Sequence, residues 1–507
     1  MSEHATSTSY WAATAPHPSF GPLSANDTTE VVVIGGGITG LTTAYLLARA
    51  GRRVVLLERR ACGAVDTGHT SAHLTMVTDT RLSELARRVG RDHAQATWDA
   101  GLAALGTIDQ IVRDHRLDVD FAWVDGYLHA PVGDDASGHV EGLREDEAVA
   151  RECGFDVQFE ATVPLAGTPG LRVAAQARIH PAKYLAGLAA LVASAGGRIF
   201  ERSDVSAVHD DPRRVEANGH VIHCDHVVIA THNPLVGVTG TIAASLFQTK
   251  LALYTSYVIG ARVAKGATPD ALWWDTADPY RYLRVVPGTP DDLLVFGGHD
   301  HKTGQESDTR ARYDHLERDL RALVPGAAVE HRWSGQVIET PDGLPYIGAT
   351  ADRQYVATGF AGNGLTFGTV AALMMADAIE GRSNPWADLF APSRKALTRG
   401  LWDYLKENAD YPYYLVRDRF AGPGARSVRD IPRGHGAIVE RDGRAIAVHR
   451  ELDGTVTERS AVCPHMGCQV AWNPAESTWD CPCHGSRFSA SGAVLAGPAE
   501  SPLGPVS

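Results

Sequence analysis

No apolar run in the chain is long enough to cross a membrane, positive charge is in deficit, and cysteine is nearly absent from the first 460 residues. A spanning helix needs about 20 apolar residues, whereas the most apolar early segment, Glu30-Val31-Val32-Val33-Ile34, is stopped by three glycines. The first 25 residues are polar and lack the apolar centre of a secretory signal. A cytoplasmic protein with no membrane span is therefore expected. Lys and Arg number 47 against 60 Asp and Glu, a net charge of −13. That leaves no broad basic face for a phosphate backbone and argues against nucleic acid as a partner. Cys62, Cys153 and Cys224 are scattered, which excludes a secreted disulfide scaffold in this region. What remains is ordinary globular material, 44% hydrophobic and 21% charged, in a chain whose 507 residues are too many for one core.

Periodicity orders the rest. A strand at 30–34, a glycine turn, a helix at 38–50 stopped by Gly51 and a strand at 53–57 make one βαβ unit. Residues 81–115 have helical period and composition, and 179–196 read as a helix begun at Pro181 and ended by Gly196-Gly197. Further strands are expected at 198–200, 226–230, 251–259, 281–286, 293–296 and 354–358, with a closing helix at 366–380. Alternating β and α early, then mostly β, predicts an α/β Rossmann-like, doubly wound domain carrying an inserted antiparallel substrate sheet. Residues 394–420 read as a helical and aromatic connector, with Gly422-Pro423-Gly424 as the boundary. Beyond it, short strands and frequent turns predict a small all-β domain.

Gly35-x-Gly37-x-x-Gly40 follows the first strand and opens the helix, and Glu58 ends the next strand 18 residues after Gly40. In a dinucleotide site the first glycine permits the tight turn, the second lets the backbone approach a pyrophosphate, and the third lets helix pack on sheet. The helix N-terminus, Ile38 and Thr39 here, then faces the phosphates. Glu58 can accept hydrogen bonds from the adenosine ribose, which disfavours a 2′-phosphate, and Arg59 adjoins it. The motif by itself does not separate FAD from NAD.

A resemblance favours FAD. Ile179-His180-Pro181, Val205 after a strand, Val227-Val228-Ile229-Ala230-Thr231, Pro341-Asp342-Gly343-Leu344-Pro345 and Gly359-Phe360-Ala361-Gly362-Asn363-Gly364-Leu365-Thr366 are matching stretches. Over residues 28–390 the chain resembles the D-amino-acid oxidase, glycine oxidase and sarcosine oxidase superfamily of FAD-dependent oxidoreductases. The resemblance implies that Val205, Ala230 and Thr231 lie at the FAD. It also implies that Gly359, Gly362, Asn363, Gly364, Leu365 and Thr366 form a strand, glycine-rich loop and helix start facing the pyrimidine end of the flavin. Reduced flavin is anionic around N1 and the C2 carbonyl, and a helix N-terminus stabilises that charge. Gly362 and Gly364 permit close approach of the ring. Thr67, His69, Thr70 and Ser71 fall in a stretch that runs beside the flavin in this family. Some relatives tether FAD through a histidine near there, and His69 and His73 stand in the region.

The other four cysteines are crowded into 21 residues. Cys463-Pro464-His465 is followed, after fifteen intervening residues, by Cys481-Pro482-Cys483-His484. This C-x-H and C-x-x-H pattern resembles the Rieske family over residues 425–505. The resemblance implies a [2Fe–2S] cluster with Cys463 and Cys481 on one iron and His465 and His484 on the other. Two Cys and two His also suit zinc, but the short C-x-H spacing and the Gly and Pro context favour the cluster. In high-potential members, cysteines placed as Cys468 and Cys483 are joined by a disulfide, and the serine at Ser486 donates to a cluster sulfur. Gly497-Pro498-Ala499 resembles the proline loop that covers such clusters. Phe488 stands where those members carry tyrosine, so a potential below the top of the roughly −150 to +300 mV range is expected.

The resemblances divide the chain into an N-terminal extension (1–27), an FAD-dependent oxidoreductase (28–393), a connector (394–424) and a Rieske domain (425–507). The combination resembles bacterial FAD oxidoreductases with a C-terminal Rieske domain, described as amine or glutamylputrescine oxidoreductases. It implies hydride transfer from a small amine or amino-acid-like substrate to FAD. Electrons then pass through the cluster to an external acceptor, which is a protein, a quinone or O2. Within the expected substrate sheet, Arg284 is a candidate to grip a carboxylate, and Tyr282, His299 and His301 are candidates to shape the pocket or accept a proton. A flavin and Rieske electron-transfer reductase with no amine substrate is the alternative. A reductase fed by NAD(P)H would need a second nucleotide fingerprint, which the sequence lacks, and a Rieske oxygenase would need a mononuclear iron site.

Overall fold

A computed structural model describes residues 8–15, 18–133, 136–233, 251–394, 425 and 427–506. The expected connector (394–424) and its Gly-Pro-Gly boundary lie outside the described residues except for Arg394.

The βαβ unit is Val31–Ile34, Ile38–Arg49 and Val54–Leu57, and both strands are buried at every position. These continuous apolar runs suit a parallel sheet covered on both faces. They sit centrally in a six-stranded sheet ordered Tyr346–Ala351, Gln354–Thr358, His226–Ile229, Val31–Ile34, Val54–Leu57, Arg198–Phe200. The first of these strands is antiparallel to its neighbour. The helices Ile38–Arg49, Pro181–Ser194 and Gly364–Ile379 bury their apolar sides in the core that contains Val31 and Leu56. The expected helix 81–115 is two helices, Leu82–Val89 and Arg91–His115. Gly90 separates them at φ +91°, a conformation that no α-helix contains.

The inserted sheet is larger than expected. Of its nine strands, eight run from Ala328–Glu339 through Ala252–Ala264, Asp291–Lys302, Arg281–Val286, Leu272–Asp275, Ala122–His129 and Gly170–Arg178 to His73–Leu74, and the ninth, Val157–Glu160, pairs with Gly170–Arg178 off that path. It is mixed rather than purely antiparallel, because Leu272–Asp275 pairs in parallel with Ala122–His129. One face carries helix Thr309–Leu323 and its own apolar cluster around Tyr257, Leu316 and Leu320.

Residues 8–15 pack against the core that contains Val31 and Leu56, through Trp11 and Ala15. Ser9 caps the short helix Tyr10–Thr14, Trp11 is fully buried, and its indole N–H donates to the Thr70 carbonyl at 2.7 Å.

The C-terminal module is all β, with His435–Arg441, Arg444–Arg450 and Val456–Ser460 in one sheet. The other sheet holds Ala471–Asn473, Thr478–Asp480, Arg487–Ser489 and Val494–Ala496. No helix among the described residues is long and apolar enough to cross a membrane.

Candidate active site and cluster site

A cavity of about 420 Å³ opens between the six-stranded and nine-stranded sheets of the larger module, with Val205 of a third, four-stranded sheet in its wall. Its first wall is the glycine fingerprint. Gly35 has φ +108°, and a Cβ there would lie 2.5 Å from the Ala230 carbonyl oxygen. A Cβ on Gly40 would meet the Gly35 oxygen at 1.9 Å, so this glycine serves helix packing and does not line the cavity. Gly37 differs: a Cβ there would meet only Thr67 Oγ1, at 3.1 Å, and would otherwise fill the cavity. That is the open cradle a pyrophosphate requires beside the helix start at Ile38 and Thr39.

Glu58 is held in place by backbone amides: Gly36 N–H donates to Oε2 at 2.7 Å and Arg60 N–H to Oε1 at 2.8 Å. Burial raises its carboxyl above the usual range, and the two amides oppose that shift. Arg59, Thr67, His69, Thr70 and Ser71 line the cavity, as do Val205, Ala230 and Thr231. His69 is anchored through Nδ1 to the Val65 carbonyl at 2.8 Å. Gly362, Asn363, Gly364 and Leu365 line it at the N-terminus of Gly364–Ile379. Asn363 fastens this loop by donating to the Val77 carbonyl at 2.8 Å. Thr366 donates to Thr75 O at 2.9 Å and lies behind the wall, and a Cβ on Gly359 would strike Thr340 Cγ2 at 2.3 Å.

The far end of the cavity is acidic and phenolic. Tyr282, Ser256, Tyr280, Asp79 and Asp300 line it. The Ser256 and Tyr282 hydroxyls are 2.8 Å apart. Burial pushes the Asp300 carboxyl up to about 7; Asp79 adds to the shift and Ser256 opposes it. Asp79 is pushed up to about 6, chiefly by its depth in the protein and further by Asp278, while Tyr280 donates to it. His73 also lines this end. Burial and Arg284 drive its imidazole down to about 3, so it is neutral, with Nε2 3.1 Å from the Leu283 carbonyl.

Three sequence candidates lie elsewhere. Arg284 is two residues past Tyr282, roughly 7 Å farther along the strand. It is 1% exposed, donates to the Ala72 and Ile179 carbonyls, and stands 5.2 Å over the Trp11 ring. It ties the N-terminal segment to the sheet and does not line the cavity. His299 and His301 point away as well. His299 Nε2 is 2.9 Å from Asp319, and His301 Nε2 is 2.9 Å from the Tyr257 hydroxyl.

A β-bulge is the cause. Gly297 lies under the Tyr282 ring on the cavity side, so simple alternation would bring His299 and His301 to that side. Pairing with the neighbouring strand instead shifts between Thr255 and Tyr257, where Gly298 has φ +136° and His299 φ +56°. The extra residue re-aims the strand, and Asp300 faces the cavity in their place. Nothing in the sequence beyond the Gly297-Gly298 pair signals this shift.

In the C-terminal module the two expected ligand loops meet. Cys463 and Cys481 are each 1% exposed and share a hydrogen bond, which with help from Ser486 draws the Cys463 thiol down to about 7. The His465 and His484 rings are 4.9 Å apart and perpendicular, and burial lowers His465 to about 4, leaving the neutral imidazole that a metal needs. Cys468 and Cys483 form a disulfide between the loops. The sulfurs of Cys468, Cys481 and Cys483 lie within 4.8 Å of one another, but two of them are bonded to each other, so this trio is no ligand set. Ser486 is fully buried and its Oγ accepts from Ala499 N–H at 3.1 Å, which seats the Gly497-Pro498-Ala499 turn on the second loop. Two thiols and two imidazoles from two braced loops fit a [2Fe–2S] cluster.

The two modules share a wall, which sequence reading did not anticipate. Leu495, Ala496 and Gly497 of the smaller module line the cavity of the larger one, and Arg60 donates to the Val494 carbonyl at 2.9 Å. Thr309 with Asn473 (2.7 Å), Tyr313 with Glu476 (2.7 Å) and Gln305 with the Pro482 carbonyl (3.1 Å) extend the contact.

Comparison with known proteins agrees with this geometry. Residues 30–378 match the family model described as FAD dependent oxidoreductase, and residues 425–506 match the Rieske [2Fe-2S] domain. The Bacillus subtilis (strain 168) protein YhfW, named as a Rieske 2Fe-2S iron-sulfur protein, is 32% identical over 501 residues, covering 97% of this chain and 96% of that one. Gamma-glutamylputrescine oxidoreductase of Escherichia coli (strain K12) is 24% identical over 77% of this chain and 92% of its own. Among solved structures, glycine oxidase from Geobacillus kaustophilus superposes with a TM-score of 0.60 at 19% identity, over 73% of this chain and all of that one. The chain belongs to the FAD-dependent oxidoreductase family and carries a C-terminal Rieske domain; the first module binds FAD and the second a [2Fe–2S] cluster.

Proposed function

We propose that this member of the family is a dehydrogenase that oxidises a C–N bond of a small amine or amino-acid-like substrate and delivers the electrons to an external acceptor. The observation that carries this reading is one cavity running from the glycine fingerprint to Asp79 and Asp300, with part of its wall built by the cluster module. When bound, FAD supplies a two-electron hydride acceptor and the Rieske cluster a one-electron carrier.

The residues divide the remaining work. Gly37, the start of Ile38–Arg49 and Glu58 hold the dinucleotide, and the loop at Gly362 with the N-terminus of Gly364–Ile379 faces the ring. Asp300 and Asp79 attract a substrate ammonium. With a carboxyl near 7, Asp300 takes the proton that must leave nitrogen before the C–H bond is broken, and Ser256 and the two tyrosines orient it. Arg284, packed beneath Trp11 and off the cavity lining, is assigned no part in this reading. The names of two relatives, gamma-glutamylputrescine oxidoreductase and glycine oxidase, support C–N chemistry.

The test is anaerobic mixing with a panel of amines, N-methyl amino acids and betaines. At least one class should bleach the flavin, and bleaching of the cluster should follow. If NAD(P)H alone reduced the flavin while every amine failed, the proposal would fall.

A further inference from the structure

We propose that Gln336 is the positioning residue that holds the second cluster loop against the flavin cavity and so sets the rate at which an electron crosses between the two centres. Gln336 lies on Ala328–Glu339, is 8% exposed, and lines the cavity. Its Nε2 donates to the Gly485 carbonyl at 2.8 Å, and Gly485 directly follows the ligand His484. One side chain thus reaches from the flavin wall to the loop that carries two cluster ligands.

The surroundings hold that reach in register. Gln336 Nε2 also lies 3.4 Å from Thr303 Oγ1, which is 2.8 Å from Thr255 Oγ1 on the paired strand. Ser334, two residues earlier on the same face, accepts from Arg487 at 3.3 Å. Gly304 is pressed so close to the Cys481–Pro482 peptide that a Cβ would stand 2.7 Å from it. The same glutamine takes the Gly485 carbonyl out of water, so losing the donor leaves a buried acceptor unpaired.

This inference rests on the relay proposed above. With both groups bound, each crossing would take one electron from two-electron-reduced flavin to the oxidised cluster, past the wall that Gln336 fastens, and on to an external one-electron oxidant. The second electron follows, and the flavin proton goes to solvent. The experiment uses the full-length holoprotein and needs no substrate: flash photolysis with 5-deazariboflavin introduces electrons, and flavin reoxidation is followed against cluster bleaching.

Gln336→Met keeps the length and removes the donor. Without the donor the buried Gly485 carbonyl is left unpaired and the loop is no longer held against the cavity wall, so the crossing rate should fall by about tenfold. FAD and iron content should stay unchanged, while backbone hydrogen exchange in 481–486 should rise. Gln336→Glu, whose carboxylate repels the carbonyl, should act in the same direction and serves if the methionine variant does not fold. Wild-type crossing with equal rates in both variants would overturn the role of Gln336 alone. No crossing in the wild type would overturn the relay itself.

Discussion

Replacing Ser486 with alanine should lower the potential of the cluster without touching the flavin half-reaction. Ser486 is fully buried in the second loop, and its hydroxyl acts on the Cys463 sulfur, helping to draw that thiol down. A donor aimed at a ligand sulfur stabilises the more negative, reduced cluster more than the oxidised one. A hydrogen bond to a charged acceptor contributes about 1.5–3 kcal/mol in total, of which the increment gained on reduction is on the order of 1–2. For a one-electron couple, where about 59 mV is tenfold, that is a drop of roughly 50–100 mV. Ser486 Oγ also accepts from Ala499 N–H, so the variant leaves a buried amide unpaired and should lose about 1–3 kcal/mol of stability. Ser486→Thr keeps the hydroxyl and separates the two effects. Redox titration followed by the cluster spectrum gives the potential, and anaerobic stopped flow gives flavin reduction by substrate, which should not change. A cluster-loaded alanine variant with wild-type potential would refute the hydrogen-bond argument, and a slowed flavin reduction would refute the order of the relay.

Three further outcomes are expected. Gly37→Val should fold yet lose FAD, since the space its side chain enters is the cavity, whereas Gly40→Ala should compromise the fold through its 1.9 Å approach to Gly35 O; flavin content and circular dichroism distinguish them. A non-reduced digest should yield Cys468 and Cys483 as one linked peptide pair, and two alkylatable thiols in cluster-loaded protein would contradict the disulfide. Flavin reduction at low amine concentration should rise with pH through about 7 as Asp300 loses its proton, and Asp300→Asn should remove that limb and slow reduction about a hundredfold; a D300N profile identical to the wild type would exclude Asp300 as the base.

The parts of the site that were legible in the sequence are those whose chemistry is local. The glycines at 35, 37 and 40, Glu58 and the two cluster loops each act within a turn or two of backbone, so their motifs stand in the sequence and the two family resemblances supply what they hold. The substrate end depends on which face of a strand points inward, and there a single bulge reverses the reading. His299 and His301 are the conspicuous chemistry on that strand, yet Gly298 and His299 take positive φ and the carboxylate between the histidines turns to the cavity. Asp79 escapes for another reason: it lies far from the strand in sequence, on the segment after Leu74, and only tertiary packing brings it beside Tyr280. The shared wall between modules is less legible still, because contacts such as Arg60 with Val494 join residues 434 positions apart.

The two cluster loops do not face alike, and the asymmetry bears on what the metal is for. His484 is 8% exposed and its loop is seated on the larger module through Gly485, Gly304 and Gln305. The loop of His465 carries Val462 at 48% and Met466 at 40% exposure among the described residues. A metal present only to fold a small domain gains nothing from having one ligand loop seated on the larger module and the other flanked by exposed residues. A carrier that must receive an electron from inside and release it outside needs both. The fold of the C-terminal module is already closed by the Cys468–Cys483 disulfide and the buried Trp479 and Phe488 pair. Its orientation on the larger module, with Gly497 in the cavity wall, is what the proposed relay requires.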